Sequence, residues 1–469
     1  MIDKLKNIVN KYPDRVAYSF NGNSITYIDL WDKASYYASL LTKQGVDPVI
    51  IYGGKEINMV ISILACIMAK RTYVPIGKCM PISRFKKIIK MTNSTLVISD
   101  LDQVIDNINW MSVERLEKYN SSIQLDSNNL IAYIIFTSGS TGEPKGVPIS
   151  YDNLNNFINW ISSFNILRDY KNINVLNQAS FSFDLSVADF YYSLCNGHTL
   201  YGTDFSLDGD LQYIYSVLEN IDFMVVTPTF MKLILLDKEF NSLNYLKLKC
   251  IYFCGEILDK DLVLELWDRF PNLNIINAYG PTEATSAVSG IVLNKNIINN
   301  YDILPVGDMN NNATIIEIID GEIVLKGPSV FNGYLGNING GFYKENNICC
   351  YKTGDIGYIE NGLLFCNGRF DSQIKYKGYR IELLDIENHI KNLDGIKDAC
   401  VVAKKDDNNT VKMIKGYVVL DNSSLDSDSI KKSLEEVLPF YMIPKTITIL
   451  DQLPLNCNGK IDRTGLSKL

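Results

Sequence analysis

Residues 137–146 read Thr137-Ser138-Gly139-Ser140-Thr141-Gly142-Glu143-Pro144-Lys145-Gly146 and follow the apolar, strand-like run Ile131-Ala132-Tyr133-Ile134-Ile135-Phe136. Three glycines and four hydroxyl side chains in ten residues suit a loop that wraps backbone N–H groups and hydroxyls around phosphate oxygens. Lys145 adds a cation close by. A plain turn between a buried strand and a helix has the same composition, because turns favour these residues. Two common phosphate loops are excluded. A Walker loop needs its second glycine followed by Lys and Ser/Thr, whereas Gly142 is followed by Glu143 and Pro144. A dinucleotide fingerprint must open a helix, and Pro144 and Lys145 stand where that helix would start. A nucleotide grip of another class is the remaining functional reading.

Outward from the loop, strand-like runs alternate with helical ones from about residue 15 to 370. Val49-Ile50-Ile51-Tyr52 precedes a helix over 59–70, Leu96-Val97-Ile98 follows one over 84–91, and Phe223–Val226 and Cys250–Phe253 end at Thr227-Pro228 and Cys254-Gly255-Glu256. This alternation predicts α/β layers with largely parallel sheets. Beyond about Pro305, short strands separated by Asp320-Gly321 and Asn361-Gly362 predict a small antiparallel β unit. After Asp371 a further mixed segment is the size of a small independent domain. The expected architecture is therefore a large N-terminal domain, 1–370, of two α/β layered subdomains plus a small β-barrel-like unit, followed by a small mobile α+β domain, 371–469.

At 469 residues the chain exceeds a single core, and 46% hydrophobic with 21% charged residues is ordinary for a soluble globular protein. A net charge of −8 argues against non-specific nucleic-acid binding. Residues 1–12 suggest a short amphipathic helix stopped by Pro13, not a signal peptide, and the apolar run 59–69 is too short to span a bilayer. A cytoplasmic protein without a transmembrane segment is expected. The ten cysteines contain no C-x-x-C pair, and with only His198 and His389 neither an imidazole-based zinc site nor Ser-His-Asp catalysis is easily built. Buried, reduced cysteines are expected.

Further clusters carry chemistry. Asn277-Ala278-Tyr279-Gly280-Pro281-Thr282-Glu283 offers an aromatic ring for a base, a hydroxyl for a phosphate and a hard oxygen ligand suited to Mg²⁺. In Tyr351-Lys352-Thr353-Gly354-Asp355, a carboxylate after a tight turn suits two ribose hydroxyls. Gly368-Arg369-Phe370-Asp371, Lys377-Gly378-Tyr379-Arg380-Ile381-Glu382 and Asn458-Gly459-Lys460 follow in that order.

Together these motifs resemble the adenylate-forming superfamily of amino-acid adenylation domains, acyl-CoA synthetases and luciferases. The likeness runs from Ile25-Thr26-Tyr27 to Asn458-Gly459-Lys460. Because the chain stops soon after Lys460, it resembles a stand-alone adenylation enzyme. Within the superfamily the likeness is greatest to the ligases that charge a carrier protein with D-alanine. It is carried by Leu176-Asn177-Gln178-Ala179-Ser180-Phe181-Ser182-Phe183-Asp184-Leu185-Ser186-Val187, Phe253-Cys254-Gly255-Glu256-Ile257-Leu258 and the run 358–365.

The resemblance implies ATP and Mg²⁺ as cofactors, and D-alanine or another small amino acid and a phosphopantetheinylated carrier protein as partners. It implies D-alanylation of teichoic acid as the purpose. Lys460 would bridge the attacking carboxylate and the α-phosphate, with Thr282 assisting as a second catalytic residue and Glu283 holding Mg²⁺. Thr137, Ser138, Gly139, Ser140, Thr141, Gly142 and Lys145 would grip the β- and γ-phosphates. Asn277, Ala278, Tyr279, Gly280 and Pro281 would line the adenine side, with Asp355 and Arg369 at the ribose. Asp184 would pair with the substrate ammonium; a helix N-cap or a structural hydrogen bond is the structural alternative for it. Cys254 would line the side-chain pocket, where Ser286 departs from the apolar residue the family leads one to expect. Asp371 would be the hinge, Gly378, Tyr379 and Arg380 the thiolation loop, and Lys375, Lys377 and Arg380 a basic spot for an acidic carrier. Lys70-Arg71 replaces the small residues usual on what should be a structural surface.

Overall fold

The computed structural model describes residues 1–43, 45, 47–100, 109–111, 130–139, 143–204, 211–336, 338, 340–406, 410–421, 425–455 and 461–469. Ser140, Thr141, Gly142 and Lys460 lie outside the described residues. Contacts divide the chain into two compact units: Met1–Lys78, Met91–Ile135 and Val147–Asn367 form one, and Cys79–Lys90, Phe136–Gly146 and Gly368–Leu469 the other.

The first unit contains an eight-stranded sheet in the order Ser289–Val292, Asn274–Tyr279, Cys250–Phe253, Phe223–Val226, Asn174–Asn177, Thr199–Gly202, Val16–Phe20, Asn23–Thr26. The inner six strands run parallel and each edge strand is antiparallel. Cys250–Phe253 and Phe223–Val226 are buried along their whole length, as strands covered on both faces must be. A second sheet, mostly of this unit, has the order Asn109–Met111, Leu96–Ile98, Val49–Gly53, Tyr73–Gly77, Ile131–Thr137, Lys145–Ser150. Its crossover helix Ile57–Met68 is buried at every position from Met59 to Ile67, so it is apolar all round rather than amphipathic.

The glycine-rich loop therefore joins two neighbouring strands, Ile131–Thr137 and Lys145–Ser150, and not a strand and a helix. The reason lies in Lys145-Gly146-Val147-Pro148-Ile149-Ser150, whose alternate residues Val147 and Ile149 are fully buried in the pattern of a half-buried strand. Arg71 also departs from expectation: it is 1% exposed, and its guanidinium donates to the carbonyls of Leu41 (3.3 Å) and Asp47 (2.5 Å).

The third sheet has the order Gly307–Asp308, Leu363–Arg369, Ile348–Glu360, Glu322–Lys326, Ile315–Ile319, with Phe342–Glu345 also paired to Ile348–Glu360. Asp320-Gly321 takes positive φ at both positions, the two-residue hairpin turn its sequence predicts. Asp355 does not follow a tight turn. It lies inside the long strand Ile348–Glu360, where the pairing slips from Val324↔Lys352 to Glu322↔Ile356, with Gly354 at φ +73 in the resulting bulge.

In the second unit, Gln373–Tyr376 and Tyr379–Glu382 form a hairpin through Lys377 (φ +52) and Gly378 (φ +82). Ile396–Lys405 pairs antiparallel with Val411–Leu420, which pairs parallel with Thr446–Ile449. The helices Leu383–Lys391 and Ser427–Glu435 bury Ile386, Ile390, Ile430 and Leu434 with Val401, Ile414 and Val418 of the strands. Among the described residues nine cysteines are free and six of them buried, and no cluster of His, Cys, Asp and Glu could hold a metal. No described helix is long and apolar enough to cross a membrane.

Candidate active site

In the first unit the candidate residues follow the carboxyl ends of parallel strands, where open α/β sheets place their ligands. Asn174–Asn177 leads to the 178–184 loop and Asp184, Cys250–Phe253 leads to Cys254, and Asn274–Tyr279 leads to the turn at Gly280. The register sets Asn177 beside Val225, Val226 beside Phe253, and Phe253 beside Asn277.

Asn274–Tyr279 presents Asn277, Ala278 and Tyr279 as buried strand residues, and Asn277 donates to the carbonyl of Pro305 at 2.8 Å. Gly280 admits no side chain: a Cβ there would sit 2.4 Å from the Ala287 Cα. Pro281 starts a single 3-10 turn, Thr282–Ala284, that ends with Thr285 (φ +64) and Ser286 (φ +69). This doubling back packs Thr282, Glu283 and Ser286 into one buried turn.

Two phenols hold the carboxylates. Tyr279 Oη donates to Asp355 Oδ2 at 2.5 Å, which joins the turn to the bulged strand. Burial, then the Asp355 charge, pushes the Tyr279 phenol far up, so it stays a neutral donor. Tyr334 Oη donates to Glu283 Oε1 at 2.6 Å and lies 3.3 Å from Tyr351 Oη. Glu283 is 1% exposed. Tyr334 has no local motif around it and was not legible in the sequence.

Asp184 occupies the N-cap of the helix Leu185–Asn196, but in αR geometry and without a capping hydrogen bond from its side chain. The helix-cap alternative is thus not realised. Around it lie Tyr133 and Tyr252, whose phenols are held far up first by burial and further by the Asp184 charge; neither Oη has a hydrogen-bond partner among the described residues. Cys254 is 3% exposed, and its thiol donates weakly to the Ser286 carbonyl across 3.9 Å.

In the second unit Ser138, at the base of the glycine-rich loop, meets the Lys377–Glu382 hairpin. Its hydroxyl donates to the Arg380 carbonyl at 2.9 Å and accepts from the Glu382 N–H at 3.0 Å. Gly139 is obligatory, because a Cβ would fall 2.2 Å from the Glu143 carbonyl oxygen. Thr137 ends its strand and is half-buried, as is Lys145, whose charge reaches Glu382. Glu382 is raised by burial and by Asp371. Tyr379 stacks on Tyr441 at 3.7 Å, and Arg380 Nε donates to Gln373 Oε1 at 2.7 Å. Arg369 grips Asp371 with two 2.7 Å hydrogen bonds. Burial raises the Asp371 carboxyl, but these bonds, the Arg369 charge and the Gln373 N–H outweigh it and leave it lowered.

The structure thus gathers Asp184, Cys254, Ser286, the Asn277–Glu283 segment and Asp355 in one unit. It gathers Thr137, Ser138, Gly139, Lys145, Arg369, Asp371, Gly378, Tyr379 and Arg380 in the other.

Comparison with known proteins fits this arrangement. The AMP-binding enzyme family profile matches residues 5–335, and that of the AMP-binding enzyme C-terminal domain matches 385–460. A D-alanine--D-alanyl carrier protein ligase of Listeria monocytogenes serovar 1/2a is 36% identical, covering 100% of this chain and 98% of its own. One from Bacillus cereus strain G9842 is 35% identical, covering 99% of each. Among solved structures, the Vibrio cholerae adenylation domain AlmE in complex with glycyl-adenosine-5'-phosphate superposes with a TM-score of 0.85 at 22% identity, over 100% of this chain and 97% of that one. Holo-PA1221, a nonribosomal peptide synthetase protein containing adenylation and PCP domains, gives 0.83 at 22% identity, over 99% and 83%. At these identities the two structures bear on the fold, while the profile match and the full-length relatives establish descent: the chain belongs to the AMP-binding enzyme family.

Proposed function

We propose that this enzyme uses ATP to activate D-alanine as an aminoacyl-adenylate. It then passes the D-alanyl group to the phosphopantetheine thiol of a carrier protein in the cytoplasm, for D-alanylation of (lipo)teichoic acid. The full-length likeness to D-alanine--D-alanyl carrier protein ligases supports this reading. The observation that carries it is Asp184, a carboxylate at the mouth of a buried helix that its own helix does not use. Such a charge suits the α-ammonium of an amino acid, and Cys254, buried against the Ser286 carbonyl, suits a small side chain.

In the first half-reaction a carboxylate oxygen of the amino acid forms a bond to the α-phosphorus as the bond to the β-phosphate oxygen breaks, releasing pyrophosphate. Bringing an anion to a polyanion is a problem of positioning and charge. Lys460 is assigned the bridge between the two anions, and Thr282 the α-phosphate. Tyr279 is assigned to adenine, and Asp355 and Arg369 to the ribose. Thr137, Ser138, Gly139, Ser140, Thr141, Gly142 and Lys145 are assigned to the leaving pyrophosphate. Glu283, a buried carboxylate already oriented by Tyr334, fits Mg²⁺, an ion that keeps waters and takes its other ligands from phosphates. Bound there, the ion would neutralise phosphate charge. In the second half-reaction the thiol sulfur attacks the acyl carbon and AMP leaves. Asp371 is assigned the hinge between the two steps, the hairpin at Gly378, Tyr379 and Arg380 the pantetheine approach, and Lys375, Lys377 and Arg380 an acidic carrier surface.

ATP–pyrophosphate exchange across a panel of D- and L-amino acids tests this reading. D-alanine should stimulate exchange and L-alanine should not. Exchange that runs best with an L-amino acid, or with a side chain larger than that of serine, overturns it. A stand-alone peptide-synthetase-type enzyme for another small amino acid is the second reading, and Ser286 beside Cys254 is the observation in its favour.

A further inference from the structure

Two residues packed with Cys254, Tyr252 and Ser286, carry hydroxyls without a hydrogen-bond partner among the described residues. Tyr252 lies on the strand Cys250–Phe253, Cys254 is the residue just past its end, and both pack into the same buried cluster while Ile251 and Phe253 pack into another. Tyr252 is fully buried, and its Oη has no hydrogen-bond partner among the described residues. Tyr252 and Cys254 belong to one buried cluster, and burial, with the Asp184 carboxylate adding to it, holds the Tyr252 phenol up, so the phenol lies within electrostatic reach of Asp184. Ser286 is 3% exposed, its carbonyl faces the Cys254 thiol at 3.9 Å, and its Oγ also has no partner among the described residues.

Buried polar groups are nearly always hydrogen-bonded, so two orphans on residues packed with one thiol call for an explanation. A pocket meant only for a methyl group would gain from apolar neighbours. One that bears unsatisfied hydroxyls favours a ligand that satisfies them, and adding a hydroxyl to a small side chain is something an apolar wall rejects only weakly.

Resting on the reading that this site activates a D-amino acid as small as alanine, we propose that it is built for a hydroxyl-bearing side chain. D-serine is then a substrate alongside D-alanine, its hydroxyl hydrogen-bonded by Ser286 and Tyr252. The chemistry is unchanged: the D-serine carboxylate oxygen bonds to the α-phosphorus of ATP and pyrophosphate departs.

The test is ATP–pyrophosphate exchange with D-serine and D-alanine on the wild-type protein and on Ser286→Ala and Tyr252→Phe. Both substitutions remove one hydroxyl and little else, and alanine avoids a β-branched side chain at φ +69. In the wild type, kcat/KM for D-serine should lie within about tenfold of that for D-alanine. Each substitution should lower the D-serine to D-alanine ratio about tenfold, the loss expected for one hydrogen bond to the substrate. The ratio is insensitive to a general loss of folded enzyme, so poor folding cannot imitate the result. D-serine exchange below about a hundredth of that with D-alanine in the wild type, or a ratio unmoved by both substitutions, overturns the inference while leaving the D-alanine reading intact. Exchange with neither substrate but with another amino acid overturns both.

Discussion

Tyr279 and Asp355 come from different sheets and meet through a hydrogen bond, Oη to Oδ2 at 2.5 Å. Tyr279 ends the strand Asn274–Tyr279 of the parallel sheet, and Asp355 sits in the bulge of the antiparallel one. Both are buried, at 4% and 3% exposure. The bond therefore fixes the aromatic ring assigned to the base relative to the carboxylate assigned to the ribose.

Tyr279→Phe keeps the ring and removes the donor. A buried anionic acceptor that loses a donor costs about 1–3 kcal/mol. The substitution should lower the unfolding free energy measured by urea titration by that amount and raise KM for ATP more than KM for the amino acid. Equal changes in both KM values would show that the pair supports the fold without organising the nucleotide side.

Glu283 owes its orientation to Tyr334, which donates to Oε1 at 2.6 Å. Partners that orient a metal ligand typically matter by 10–100-fold in affinity. Tyr334→Phe should raise the Mg²⁺ concentration for half-maximal exchange by about tenfold, and saturating Mg²⁺ should restore most of the rate. Glu283→Gln should not be restored in this way. A titration in which Tyr334→Phe matches the wild type would remove Tyr334 from the magnesium side of the site.

These partners explain which parts of the site are legible in the sequence. Tyr279, Gly280, Thr282 and Glu283 are read together because one strand end and one turn carry them all. The short parallel strands are equally plain, since burial on both faces leaves unbroken apolar runs such as Cys250–Phe253. Tyr334 and Asp355 reach Glu283 and Tyr279 across 51 and 76 residues of chain, and nothing local at Tyr334 marks it. Asp355 was read after a tight turn because Gly354 has turn character, yet the same positive φ serves a bulge inside a long strand. The glycine-rich loop likewise has one composition whether a helix or a strand follows; Val147 and Ile149 decide in favour of the strand.

Lys55 illustrates a cluster that no motif announces. It is 2% exposed; its ammonium donates to Asn177 Oδ1 at 2.5 Å and to the Ala179 carbonyl, and stands 4.4 Å over the Phe181 ring. Asn177 Nδ2 in turn donates to Asp189 Oδ1 at 2.7 Å, and Asp189 is fully buried. Burial lowers the Lys55 pKa to about 7, against the opposing pull of Asp189 and Asp204. Lys55 and Asp189 meet through Asn177, and burial pushes the Asp189 carboxyl well up as it pulls the Lys55 ammonium down; removing the lysine leaves the Asn177 and Ala179 oxygens without its donor, at about 1–3 kcal/mol. Lys55→Met should destabilise by that much, and the double variant Lys55→Met, Asp189→Asn should be more stable than Lys55→Met alone. Additive losses in that double-mutant cycle would show that the lysine acts by packing and not by charge.

His389 gives the second unit a pH-dependent contact. In the helix Leu383–Lys391 its Nδ1 lies 2.9 Å from the Asp385 carbonyl oxygen and 3.1 Å from Asp385 Oδ1, an ion-pair distance once the ring is protonated. Arg84 Nη1 approaches the other carboxylate oxygen at 3.5 Å, and Lys87 lies nearby at the rim of the same small cavity. The hydrogen bond to Asp385 raises the His389 pKa above its ordinary 6.5, and burial and the Arg84 charge oppose this without cancelling it. A histidine raised on folding binds its proton more tightly in the native state. Its contribution is complete below about pH 6.5 and is lost as pH climbs through the raised native value. The melting temperature of the second unit's transition should therefore fall by about 1–3 °C between pH 6 and 8 from this group. In His389→Gln that part of the slope should vanish. If the two proteins keep parallel melting profiles over this range, the Asp385 carboxylate is balanced by Arg84 alone and the histidine is only a packing residue.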